Sequence, residues 1–272
     1  DRSLETQDLT LDEEVFESAP AGNQIKVLMV RPKTADILPC VYYIHGGGMA
    51  YLSAFDEVYR SWACLLAAQG LAVAMVDFRN SLLPSSADEI VPFPGGLNDC
   101  VAGLKWVHSQ AERLHIDPAK IIVAGESGGG NLALATAMKL NRDGDISLVH
   151  GIYALCPYIA GRWPHPDHPS SLTNEGLPFA MGNNHLSMAY GIEALDRKDP
   201  LAWPLFATPT DLQGLPQMVI SVNECDPLLD EGVSFYRKLL AAGVPARCRQ
   251  VMGTTHAAEI FTACIPDISA CA

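Results

Sequence analysis

The chain is short of positive charge. Its 272 residues carry 18 Lys and Arg against 31 Asp and Glu, a net charge of −13. So acidic a molecule repels phosphate backbones and anionic lipid, which sets nucleic-acid and membrane-surface binding aside. The chain also lacks any apolar run near the ~18 residues of a membrane span, any low-complexity tract and any signal peptide. Charged residues make up only 18% and hydrophobic ones 49%. That balance excludes a disordered chain and suits one domain with a large core. The eight cysteines, at 40, 64, 100, 156, 225, 248, 264 and 271, form no Cys-x-x-Cys pair. They read as small buried hydrophobes in a reducing, cytoplasmic compartment, with no disulfide framework expected. The chain opens on Asp1 and not on Met, so a trimmed start, with room for a removed leader, is expected.

What is present is glycine in particular places. Gly125-Glu126-Ser127-Gly128-Gly129 lies between a strand-like run, Ile121-Ile122-Val123-Ala124, and a helix-like run from Asn131 to Leu140. Strand, Gly-x-Ser-x-Gly, helix is the nucleophile elbow of α/β-hydrolases. The turn is so sharp that the serine backbone is strained, and side chains at 125 and 129 would collide with neighbouring backbone. It lifts Ser127 Oγ clear of the sheet. It also sets the Gly128 N–H at the start of a helix, where a developing oxyanion is favoured. By itself the pattern also fits a glycine-rich turn with an incidental serine. Two further motifs decide between them.

The first follows the apolar strand Pro39–Ile44. His45-Gly46-Gly47-Gly48 lets the backbone fold back and aim N–H groups at one point. Gly47 and Gly48, with Gly128, are the expected oxyanion donors, each worth ~10²–10³ in rate. His45 reads as a structural tie. The second follows the strand Gln217–Val222, where Asn223-Glu224-Cys225-Asp226 puts carboxylates at a strand's C-terminal end. Asp226 is preferred as the acid because it falls in the loop directly after the strand. Asp230 and Glu231 sit in a helix first turn, where the dipole alone favours them. His256 stands just past the last strand, Arg247–Val251. The order Ser127, Asp226, His256 is that of an α/β-hydrolase triad. His256 would take the Ser127 proton and return it to the leaving group, with Asp226 fixing the imidazole. Nothing in this set calls for a metal or an organic cofactor.

The rest of the chain frames these motifs. Residues 6–18 and 24–31 read as a hairpin around Pro20-Ala21-Gly22-Asn23. Helices are expected over 58–69, 96–115 and 229–241. Asp77 and Arg79 are expected to pair and hold their loop. Residues 157–210, rich in proline and aromatics, read as a lid with a helix near 185–195. The domain organisation expected is a catalytic domain over 1–156 and 211–272 with 157–210 as an inserted cap. His165 and His168 match no metal-ligand spacing. Met49, Tyr51, Trp203 and Phe206 are candidates to touch substrate, and each equally fits core packing. As an edge strand, 247–251 is expected to pair with a twin copy, giving a homodimer.

Together, His45-Gly46-Gly47-Gly48, the run from Gly125 to Leu132, the run from Asp226 to Gly232, and His256 resemble the hormone-sensitive-lipase family of bacterial esterases. Val76–Asn80, Asp199–Pro204 and Asn223-Glu224 resemble its brefeldin A esterase subgroup. The resemblance implies an α/β-hydrolase fold, a mostly parallel sheet with helices on both faces and an inserted cap. It implies hydrolysis of small, uncharged, short-acyl carboxylic esters, with water as acyl acceptor. The alternatives are a ligand-binding protein on the same scaffold, or a related lactonase, thioesterase or amidase. The chain departs from the family in three ways. The family usually has a longer N-terminal cap segment. Ala257 stands where a Gly usually follows the histidine. The chain ends 16 residues past His256, from which truncation is expected.

Overall fold

The computed structural model describes residues 8–20 and 22–261. The strands alternate as a buried sheet requires. In β2, Ile25, Val27 and Met29 enter one apolar cluster while Leu28 and Val30 enter another. In β3, Cys40, Tyr42 and Ile44 join the first, and Val41 and Tyr43 the second. The two clusters are the two faces of one sheet.

In chain order the elements are β1 (Leu9–Ser18), β2 (Asn23–Pro32), β3 (Leu38–Ile44), α1 (Glu57–Ala67), β4 (Ala72–Val76), α2 (Gly95–Ser109), β5 (Ile116–Glu126) and α3 (Gly128–Asp143). Then come β6 (Gly151–Leu155), α4 (Ser170–Thr173), α5 (His185–Asp196), α6 (Pro209–Leu212), β7 (Gln217–Cys225), α7 (Leu229–Ala241), β8 (Ala246–Thr255) and α8 (Ala258–Phe261). The strand order is β1-β2-β4-β3-β5-β6-β7-β8. β2 pairs antiparallel with both neighbours, and the pairs from β4 to β8 are parallel. Residues of α1 and α8 pack on one face, and those of α2, α3 and α7 on the other. This is the expected α/β architecture. β4 is buried at all five positions, as a central parallel strand should be.

Register positions the site. Ile44 pairs with Gly125, so the glycine loop after β3 and the elbow after β5 emerge side by side. Between β7 and β8, Asn223 faces Val251 but Cys225 faces Thr255, because β8 carries a bulge. Continued without the bulge, Asp226 would stand opposite Thr254; with it, the residues following the last pair are Asp226 and His256. Gly253 takes the left-handed φ of 71° in that bulge, and its N–H donates to Glu224 Oε2 at 2.7 Å.

Several expectations are corrected. Arg79 does not pair with Asp77. It donates to Asp99 and Glu89, and the Asp99 carboxylate also accepts from the Ser18 hydroxyl, tying β1 to α2. Asp77 instead accepts from the N–H groups of Ala54 (2.7 Å) and Ser86 (2.8 Å). Asp77 and Arg79 lie in the irregular segment after β4 ends at Val76, where the same-face relation of residues two apart on a strand no longer holds, which explains the miss. The helix expected to run to residue 115 stops at Ser109, and the elbow strand starts sooner, at Ile116. The hairpin forms, Leu9–Ser18 pairing with Asn23–Pro32, while residues 6 and 7 of its expected first strand and Ala21 of its turn lie outside the described residues.

Candidate active site

The elbow forms because glycine is required on both sides of the serine. A Cβ at Gly125 would collide with the Gly129 carbonyl, and one at Gly129 with the Ile44 carbonyl. Between them Ser127 takes φ 55°, ψ −119°, a conformation a side chain tolerates only under duress. Its carbonyl accepts from Asn131 and Tyr158 N–H, and its own N–H donates to Leu155 O, so the strained turn is tied on both sides.

The glycine loop approaches the elbow backbone to backbone. A Cβ on Gly128 would lie 2.7 Å from Gly48 N and 2.6 Å from Met49 N. Gly47 (φ 89°) and Gly48 (φ 60°) both take left-handed conformations. The N–H groups of Gly47 and Gly48 donate to no acceptor among the described residues and stand beside the start of α3. Ser127, Gly47 and Gly48 share one cavity wall.

Asp226 and His256 are both buried, and His256 Nδ1 is 2.8 Å from Asp226 Oδ2. A carboxylate can only accept, so Nδ1 carries the proton and Nε2 presents a lone pair. Asp226 Oδ1 accepts from Leu228 N–H at 2.9 Å, which fixes the carboxylate. Phe179 meets the His256 ring edge-on, centroids 4.8 Å apart. His256 and Ser127 line a cavity of about 600 Å³, bounded also by Tyr51, Phe179 and Leu186. Its wall holds no Lys or Arg among the described residues.

A family model described as the alpha/beta hydrolase fold matches residues 41–260. The chain belongs to the α/β-hydrolase family. Carboxylesterase NlhH of Mycobacterium tuberculosis is 31% identical over 249 residues, 86% of this hydrolase and 71% of the relative. The solved structure of esterase Est22 superposes with a TM-score of 0.95 at 55% identity, covering 97% of this chain and 79% of that one. Brefeldin A esterase, described as a bacterial homologue of human hormone sensitive lipase, gives 0.90 at 39% identity, covering 97% and 74%. The family named from the motifs is thus the family of the chain.

Of the hydrolase's four candidate contacts, Tyr51 lines the cavity and the others do not. Met49 and Trp203 are buried in the core, Trp203 edge-on to Tyr158, Trp163 and Tyr190. Phe206 faces a second, smaller cavity. His45 is buried, stacked on Phe78 with centroids 4.3 Å apart, and does not line the cavity; burial lowers its pKa. Its structural reading stands.

The elbow motif assigns no role to Glu126. It is buried, and it accepts from Tyr43 OH (2.6 Å), Tyr59 OH (2.6 Å) and Gly46 N–H (2.7 Å). Burial raises its pKa against the pull of those donors. A Cβ on Gly46 would fall 2.5 Å from Glu126 Oε1, so the first glycine of the loop exists to admit this carboxylate. Asp230 and Glu231, read as helix-dipole residues, also hold backbone. Asp230 accepts from Ser170 N–H, while Glu231 accepts from Ile159 and Ala160 N–H and from Trp163 Nε1. No periodicity in the sequence signals such long-range partners.

Proposed function

We propose that this α/β-hydrolase is a carboxylesterase that cleaves small, uncharged, short-acyl esters. The observation that carries the reading is the buried Asp226–His256 pair on one cavity wall with the strained Ser127. The carboxylesterase and esterase names of its relatives support it. Ser127 Oγ attacks the ester carbonyl as His256 Nε2 takes its proton. The N–H groups of Gly47, Gly48 and Gly128 receive the charge of the tetrahedral intermediate. His256 then protonates the departing alcohol, leaving an acyl group on Ser127, and water repeats the sequence to free the acid. Asp226 holds the tautomer and stabilises the imidazolium. A mostly apolar cavity of about 600 Å³, with no Lys or Arg on its wall among the described residues, suits neutral small esters.

Residues 157–210 are read as the cap over a catalytic domain of 1–156 and 211–272, supported by Phe179, Asn184 and Leu186 on the cavity wall. Among the described residues no helix is long and apolar enough to cross a membrane. Free cysteines at 40, 64, 100, 156, 225 and 248 suit the proposed cytoplasmic setting. The edge position of β8 is the basis for a proposed homodimer. The test is the initial rate on p-nitrophenyl esters of increasing acyl length, with Ser127→Ala alongside. Turnover should peak at short chains and vanish in the variant, which should melt like the parent. Undiminished hydrolysis by Ser127→Ala would refute the assignment.

A further inference from the structure

Cys156 has no part in ester hydrolysis, yet it stands against the base. β6 ends at Leu155, and Cys156 follows with a left-handed φ of 37°, its N–H donating to Ser221 O at 2.7 Å. Its Sγ lies 3.8 Å from His256 Nε2. Cys156, Asp226 and His256 are all buried, and their ligand-type atoms lie within 4.8 Å of one another. Among the described residues this is the one group of three or more such side chains close enough to hold a metal ion.

We propose that Cys156 and His256 form an inhibitory site for a thiophilic divalent cation, with zinc as the type case. Zinc bonds of ~2.3 Å to sulfur and ~2.0 Å to nitrogen separate two tetrahedral ligands by about 3.5 Å. The observed 3.8 Å needs only a small closing movement. Asp226 already holds Nδ1–H, which is the carboxylate–histidine–metal arrangement that orients Nε2 toward an ion. His256 lines the cavity, so the ion arrives from that side. Binding forms one metal–sulfur and one metal–nitrogen bond and releases the thiol proton to solvent; no electron is transferred. The lone pair that would accept the Ser127 proton is then occupied, and turnover stops. Magnesium and calcium, which prefer oxygen ligands, are excluded by the same donor set.

The inhibitory consequence rests on the esterase reading, whereas the site itself does not, and the experiment separates them. Zinc is titrated into the full chain during p-nitrophenyl ester hydrolysis, with magnesium as control. Cobalt is added to a second sample and its absorption recorded. Zinc should inhibit, EDTA should restore the rate, and magnesium should do nothing. Cobalt should give a thiolate charge-transfer band. In Cys156→Ala that band should vanish, and half-inhibition, read against the variant's own rate, should need at least ~100-fold more zinc. Cys156→Ser supplies the same comparison should the alanine variant not fold. A cobalt band without any turnover in the parent would refute the esterase reading and keep the site. A parent without the band, or variants as zinc-sensitive as the parent, would overturn the proposal.

Discussion

Gly46 and Glu126 are far apart in the chain and occupy one volume: the missing side chain of one is the carboxylate of the other. That carboxylate grips the N–H of Gly46, one residue before the proposed oxyanion donors, and directly precedes Ser127. Glu126 is therefore a positioning residue that sets the distance between nucleophile and oxyanion loop. Glu126→Ala should lower kcat by ~10²-fold, the cost of a misplacement near 1 Å, while KM stays near the parent's value. Glu126→Gln keeps an acceptor for Gly46 and should recover much of that loss. Equal falls in kcat through both variants, or a loss carried by KM, would contradict the positioning role. At this scale the sequence was most legible where sterics rule. Gly125, Gly129 and the strained Ser127 could be read because a sharp turn tolerates few residues. Trp203 and Met49 could not be placed, because an aromatic or thioether side chain suits a core and a cavity wall equally.

Among elements, β8 matters most. Its bulge shifts the register so that His256 follows the pair that Asp226 follows. The sequence located both residues at strand ends but said nothing of the bulge, which Gly253 signals only by its φ. Helix ends were misjudged for a related reason. The apolar spacing of α2 continues past Ser109 in Ala111 and Leu114, which are buried from a turn and not from a helix. α7 supplies a test by pH. Its Glu231 is buried against the N–H groups of Ile159, Ala160 and the Trp163 indole, and burial pushes its carboxyl from 4.5 up to about 8. The folded protein thus keeps this proton over a range in which the unfolded chain has lost it. The contribution is complete below about 4.5 and is lost as pH rises toward about 8. The melting temperature should fall across that window more steeply in the parent than in Glu231→Gln. Parallel curves would show that Glu231 is ionised throughout.

At the scale of the whole molecule, charge and cavity act together. A net charge of −13 surrounds a cavity whose described wall lacks Lys and Arg. An aryl ester with a free carboxylate should therefore show a lower kcat/KM than its neutral counterpart, and added salt should narrow the gap by screening. A gap indifferent to salt would locate the discrimination inside the cavity. Fold class was legible at this scale because buried parallel strands read as apolar runs, and the order of serine, acid and histidine fixed the topology that joins them. The inner wiring of residues 157–210 was not, because its contacts are made to distant backbone. Asn174 donates to the carbonyls of both Glu224 and Asp226, Ser170 exchanges hydrogen bonds with Asp230, and Asn131 reaches the carbonyls of Tyr158 and Ala202. For protein engineering this wiring defines where a graft can be cut. A chimera that imports a foreign 157–210 segment alone would strip the backbone clamps from the loop carrying Asp226. One that also imports residues 224–231 would transplant the segment with its own moorings, so the heritable unit of specificity is two stretches of sequence and not one.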